Sequence, residues 1–396
     1  MRAPIFSARI VNSPKVVWGI IIFFHVFPLI YTAIRTTITG VPDGTLEYYN
    51  GAIDGTNTLN EYPAPNVWII YLLNFLSFGH MIVLYPIVVV AFVMGFSHFI
   101  YTKFDFPIFQ FWGLASATMA STTVFRLDIY PGFAVFFAFY LMYLRRDFWA
   151  GILLSVATWL KLWPAFLAAA MATHIRERAL WLRAAGFVVG VVLFGVLTAI
   201  FHGPERIISP LTYQTDRGLQ IESIFATPLF VAFMFVKNWT VSFAPSKSYE
   251  IFGPGVEVLA AAADYAQYLM ILFLAALALW IIFFKKIRPI DGIRLAVMAV
   301  CMVIVANKVF SPQYLLWLIP LVVLLVAVDT EIDWRRPAQL MFWIGLLTTL
   351  VFPVLYNQIK DYHNPLAMLV MIVRNILVVY LTYIAGRNFF IGLRKH

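Results

Sequence analysis

The chain has one cysteine in 396 residues, Cys301, and it lies inside an apolar run. A disulfide framework and a cysteine-built metal site are both excluded. Charge is also scarce. Asp, Glu, Lys and Arg make up 12% of the residues, about half the roughly 25% of ordinary soluble chains. The seven histidines never fall into an H-x-x-x-H or H-E-x-x-H pattern, which argues against a zinc enzyme. No G-x-x-x-x-G-K run is present, so no phosphate-cradling loop for nucleotide hydrolysis is expected. Low-complexity tracts, long polar linkers and separate soluble segments are missing, and residues 1–396 read as one integral-membrane domain. No internal repeat stands out, which weighs against a transporter built from inverted halves.

What the chain does have is apolar length. Hydrophobic residues are 62% and aromatic residues 17% of the total. A spanning helix needs about 20 mostly apolar residues, and twelve spans are predicted, near 16–34, 80–101, 107–124, 130–144, 149–160, 163–174, 180–202, 260–284, 293–306, 313–328, 338–356 and 366–386. The fold class is therefore an all-α polytopic membrane protein. The first run is too long and too aromatic for a signal-peptide core, and no small-residue cleavage site follows it, so it reads as a retained helix. The net charge of +9 is not a nucleic-acid signature, because most Lys and Arg gather at alternate span ends. The positive-inside rule then places both termini in the cytoplasm, and most acidic residues fall on the other side. Two loops on that outer side are long, 35–66 and 202–259. Each adjoins a short apolar stretch, Val67–Phe78 and Phe225–Val236, read as interfacial or re-entrant. Non-helical backbone at membrane depth is tolerated where it lines a cavity, so the cavity is expected on the outer side.

Charged residues sit beside or between these runs. A charge near hydrocarbon costs about 2.5–3.5 kcal/mol on insertion scales and usually faces a wet cavity or a partner. The first outer loop carries Asp43, in Pro-Asp-Gly, then Asp54-Gly and Glu61-Tyr62-Pro63. A carboxylate there suits a general base, while Asp43 and Asp54 equally suit plain turns. Arg126-Leu-Asp128 offers either an internal ion pair or an anion-binding arginine oriented by its neighbour. Lys161, before Trp163-Pro164, and Lys308, before Ser311-Pro312-Gln313-Tyr314, stand at helix breaks; each either snorkels or joins Arg126 and Arg217 in a cationic set for a phosphate. The second outer loop adds Gln220 and Glu222, and His363 is expected on the same side, where it also reads as a surface histidine.

Taken in order, Glu61-Tyr62-Pro63, Arg126-x-Asp128-x-x-Pro131, Lys161-Leu-Trp-Pro164, Arg217-Gly-Leu-Gln-Ile-Glu222-Ser223 and Asn307-Lys308-Val-Phe-Ser-Pro-Gln313-Tyr314-Leu-Leu-Trp317 resemble glycosyltransferase family 87. These are membrane mannosyltransferases of the glycosyltransferase C superfamily, typified by actinobacterial enzymes that build phosphatidylinositol mannosides and lipomannan for the cell envelope. The resemblance covers roughly residues 43–320. The first loop departs from it: Gly44 follows Asp43, Tyr48 and Tyr49 come late, and Ala64 separates Pro63 from Pro65. The resemblance implies a glycosyltransferase C-type fold in the plasma membrane and an extracytoplasmic active site. It implies a polyprenyl-phosphate-mannose donor, a glycolipid acceptor and an α-linked, inverted product. Asp43 would be the base. Arg126, Lys161, Arg217 and Lys308 would bind the donor phosphate. Tyr62, Asp128, Gln220, Glu222, Gln313 and His363 would contact substrate. No metal or other cofactor is expected, because a phosphate already leaves well. An arabinosyl or other sugar donor, a lipid flippase using the same cations without a base, and a structural membrane subunit are the other readings.

Overall fold

The computed structural model describes residues 5–6, 11–215 and 217–395. Arg2 and Arg9, two cations of the expected cytoplasmic side, and Asp216 lie outside the described residues.

In chain order the helices are α1 (Pro14–Thr39), α2 (Gly44–Asp54), α3 (Ala64–Leu76), α4 (Met81–Lys103), α5 (Phe106–Thr118), α6 (Ala120–Phe125), α7 (Ile129–Tyr143) and α8 (Asp147–Leu160). A 3-10 helix, Trp163–Met171, follows, then α9 (Arg178–His202), α10 (Glu205–Thr215) and α11 (Thr227–Phe233). A short hairpin, β1 (Thr240–Phe243) and β2 (Tyr249–Phe252), is antiparallel with Thr240 opposite Phe252. The chain then runs through α12 (Val256–Phe284), α13 (Pro289–Ala306), α14 (Leu315–Val328), α15 (Arg335–Thr349), α16 (Tyr356–Lys360) and α17 (Pro365–Arg394).

Seven helical stretches are long and apolar enough to cross a membrane: α1, α4, α9, α12, α13, α17 and α15 continued to Val354. Four shorter apolar stretches, Ala64–Leu76, Ile129–Tyr143, Asp147–Leu160 and Pro312–Val328, accompany them. The architecture is that of an all-α membrane protein. Its inside and outside are sorted by packing rather than by polarity. α13 and α14 are buried almost all round. α1, α9 and α12 instead turn large apolar side chains outward, among them Phe27, Val192, Ile200, Leu269 and Leu272. Such an apolar exterior is what hydrocarbon solvates.

Small residues let backbones approach. A Cβ added at Gly151 would lie 2.1 Å from Arg183 O, and one at Gly186 would lie 2.1 Å from Phe148 O. α8 and α9 thus meet glycine against carbonyl, the contact that replaces hydrophobic driving force inside lipid. At the end of the bundle away from the site described below, charges are paired. Arg294 is fully buried and binds Asp329 at 2.7 Å and Asp291 at 2.8 Å. Arg288 reaches Glu331 at 2.5 Å.

The apolar runs become helices close to their expected limits, with two differences. The run at 107–124 breaks at Met119 into α5 and α6. The run at 163–174 is a nine-residue 3-10 helix, longer than the three or four residues usual for that geometry. Pro164 sits in its first turn, where a missing N–H breaks no bond. The long loops carry structure of their own in α2, α10 and the hairpin.

Candidate functional site

The breaks between helices gather at one end of the bundle, and the expected residues gather with them. Each break has a local cause. α1 closes at Gly40, whose φ of 68° is left-handed and whose N–H bonds Thr36 O. Three residues later Asp43 caps α2, its Oδ1 accepting from Thr45 N at 2.9 Å and Leu46 N at 3.4 Å. The rest of the first loop is held by α10. Arg206 donates to Leu59 O, Tyr62 O and Asn60 Oδ1. α8 stops at Lys161, whose backbone is extended, and Asn66 Nδ2 ties Leu160 O to α3 at 2.7 Å.

The second loop folds against the hairpin. Ile221 N donates to Tyr249 O and Ile251 N to Leu219 O. Gly218 leaves room for a neighbour: a Cβ would lie 2.1 Å from Glu250 Oε2, and that carboxylate would have to move. Gln220 joins this loop to the break after α13. Its N–H donates to Lys308 O, and its Oε1 accepts from Phe310 N at 2.7 Å. Glu222 is buried and paired with Arg374 of α17 at 2.7 Å. Burial raises its pKa, and Arg374 opposes the rise.

These segments enclose a cavity of about 340 Å³. Arg126, Lys161 and Arg217 line it, as do Tyr62, Gln220, Glu222 and Gln313. Among the described residues Arg217 Nε is buried without a hydrogen-bond partner. A second cavity, about 310 Å³, adjoins the first and is lined in part by Lys308, Asp264, Trp163 and Trp317. Glu61, Lys161 and Tyr314 line both.

Asp128 is fully buried. Its carboxylate accepts from Trp317 Nε1 at 2.9 Å and Tyr62 OH at 3.4 Å, and lies 3.7 Å from Lys161 Nζ. It therefore pairs with Lys161 and not with Arg126. Among the described residues Arg126 has no ion-pair partner within 4.0 Å. Lys161 turns inward over the Tyr62 ring, 3.8 Å from its centroid, and does not snorkel. Burial lowers its pKa, and Asp128 opposes the fall.

The expected set is thus split by position. Three of the four cations share the first cavity. Lys308 lies in the second, 3.2 Å from Asp264. Asp43 lies beside Gly44 and Thr45, which line the first cavity, and its charge is among those acting on Arg126. Asp54, at the far end of α2, is exposed and bonded to Thr56. His363 lines neither cavity; its ring packs 4.6 Å from that of Phe233.

Glu61 was not singled out by the sequence, although it stands in the Glu-Tyr-Pro motif. Tyr48 OH donates to its Oε1 at 2.5 Å, and burial with the Glu61 charge pushes the Tyr48 phenol well up. Asp264 and Arg206 carry no such motif: Asp264 lies in an apolar helix, and Arg206 follows Glu205 in a mixed segment. Among the described residues no three of His, Cys, Asp and Glu gather to hold a metal ion.

Comparison with family models, with curated proteins and with solved structures finds no match.

Proposed function

We propose that the protein is a membrane mannosyltransferase with a glycosyltransferase C-type fold of about twelve spans. It moves a mannosyl residue from polyprenyl-phosphate-mannose to a lipid-linked glycan of the phosphatidylinositol mannoside or lipomannan type. In this reading the site faces outward from the plasma membrane, both termini are cytoplasmic, and no metal takes part.

The observation that carries the reading is the first cavity. Arg126, Lys161 and Arg217 come from three separate segments to one space, beside helices whose outward faces suit lipid. Among the described residues one guanidinium nitrogen there, Arg217 Nε, is buried without a partner. Desolvated donors of this kind favour an anion.

The chemistry follows. The acceptor oxygen bonds to the sugar's anomeric carbon as the bond from that carbon to the phosphate oxygen breaks. The acceptor proton passes to the Asp43 carboxylate. The phosphate leaves with one more negative charge than it had as a diester, and the three cations oppose that growing charge. Attack from the face opposite the phosphate turns a β-linked donor into an α-linked product. Tyr62, Gln220, Glu222 and Gln313 shape the space around the sugar, and Asp128, which lines neither cavity, holds Tyr62 and Lys161 from behind.

The test uses purified full-length protein in detergent with a panel of polyprenyl-phosphate sugars and a mannosylated lipid acceptor, with and without a chelator. Transfer from the mannosyl donor alone, undiminished by chelation, is the expected result. Transfer from an arabinosyl donor would overturn the sugar and keep the mechanism. Lipid moved between the leaflets of reconstituted vesicles, with no transfer, would make the protein a flippase.

A further inference from the structure

The two cavities differ in chemistry. The first is cationic. In the second, the cations Lys161 and Lys308 are matched by Glu61 and Asp264, with Lys308 paired to Asp264 at 3.2 Å, and indole and phenol rings, Trp163, Trp317 and Tyr268, stand with the amides of Asn307 and Gln267. Three rings form one stack, with Trp317 between Tyr314 at 3.9 Å and Trp163 at 4.7 Å, so Trp317 meets the cavity with its edge. Among the described residues Trp163 Nε1 is buried without a hydrogen-bond partner. An unpaired buried donor is costly, and a ligand hydroxyl would satisfy it. A sugar or cyclic polyol supplies both hydroxyls for the polar groups and apolar C–H surface for the aromatic rings.

Glu61 stands on the wall common to both cavities. Two features fix its carboxylate: the 2.5 Å bond from Tyr48 OH, and the Arg206 clamp on the carbonyls of Leu59 and Tyr62 that flank it. Its charge also acts on Lys161.

We infer that the second cavity holds the sugar or cyclitol headgroup of the acceptor lipid, and that Glu61 binds a hydroxyl next to the attacking one. This rests on the transferase reading. Glu61 is then a specificity-determining residue: it selects which hydroxyl faces the donor carbon in the first cavity, while the proton of that hydroxyl goes to Asp43.

The experiment compares wild-type protein with Glu61→Gln and Trp163→Phe. Substrates are polyprenyl-phosphate-mannose and a mannosylated phosphatidylinositol, and binding of the latter is followed separately by intrinsic fluorescence. Loss of a hydrogen bond to a charged group corresponds to about tenfold or more. Glu61→Gln should therefore raise the acceptor KM and Kd by at least about tenfold, well beyond any change in the donor KM. Trp163→Phe, which keeps a ring in the stack and removes the N–H, should raise the same two constants by a smaller factor. Unchanged acceptor constants in both variants would overturn the inference while leaving the transferase reading intact. So would a fall in kcat alone for Glu61→Gln, since that would make Glu61 the base. Wild-type protein that binds the mannosylated lipid through Glu61 and Trp163 but transfers nothing would sink the transferase reading and keep the cavity assignment.

Discussion

Replacing Lys161 or Arg217 by Met removes one cation from the first cavity and leaves a side chain of similar length. Each change should lower kcat/KM by a factor equivalent to about 2–4 kcal/mol, the size seen when one donor to a developing charge is lost. Initial-rate measurement checks this; near-normal turnover in the double variant would remove the phosphate role. Lys161 also sets a pH limit. Burial lowers its pKa below the usual lysine value, and Asp128 partly restores it. The charged form exists below the folded pKa, so activity should fall as pH rises through it, below about 10.4. Asp128→Asn should move that alkaline limb lower and Lys161→Arg should move it higher. Asp43→Asn should abolish transfer with donor binding retained, whereas Asp54→Asn should have little effect, since Asp54 is exposed at the end of α2 away from Gly44 and Thr45, which line the cavity. The reverse outcome would move the base to the other end of α2. The cations were legible in the sequence because a charge beside an apolar run needs a reason. Glu61 was not, because a glutamate in a polar loop needs none.

Gly186→Val is the sharpest test of how the helices meet. Its side chain would enter the space of Phe148 O, where even a Cβ comes within 2.1 Å. α8 and α9 must separate or shift, at a cost of about 1–3 kcal/mol for overpacking. The thermal unfolding midpoint in detergent should fall. An equal midpoint would mean that the two helices are not held at glycine distance. At this scale the sequence was informative where hydrophobic length alone decides, hence the agreement for α1, α4, α7, α8, α9, α12, α13 and α17. It was silent on α2 and α10. Gly44, Gly51, Asn50 and Asp54 dilute α2, and Pro210 sits inside α10. The Asp43 cap starts α2 locally, while the Arg206 clamp ties α10 to the distant first loop, a contact no local pattern announces. The hairpin was hidden for the same reason: four-residue strands carry little pattern, and their neighbour is the 217–223 loop.

The paired charges opposite the site give the molecule a predictable acid response. Arg288 and Arg294 hold Glu331 down to about 2 from an ordinary 4.5. A depressed carboxylate stabilises the fold fully above its unfolded pKa and loses that effect as pH falls toward the folded one. Stability should therefore be level from pH 7 to about 5 on this account and decline between about 4.5 and about 2. Glu331→Gln should flatten that part of a thermal-shift profile; a profile unchanged by the substitution would mean that Glu331 does not carry it. The walls of the first cavity have a different consequence, in the order of assembly. They run from Gly44 to Tyr356, and separations that long are slow to close. A chain synthesised from its N-terminus can place its early helices one by one, but no partial product has the cavity. Activity arises late, after the last lining residue has entered, and a ribosome-bound intermediate that carries every lining cation and lacks Phe352 and Tyr356 has no closed site.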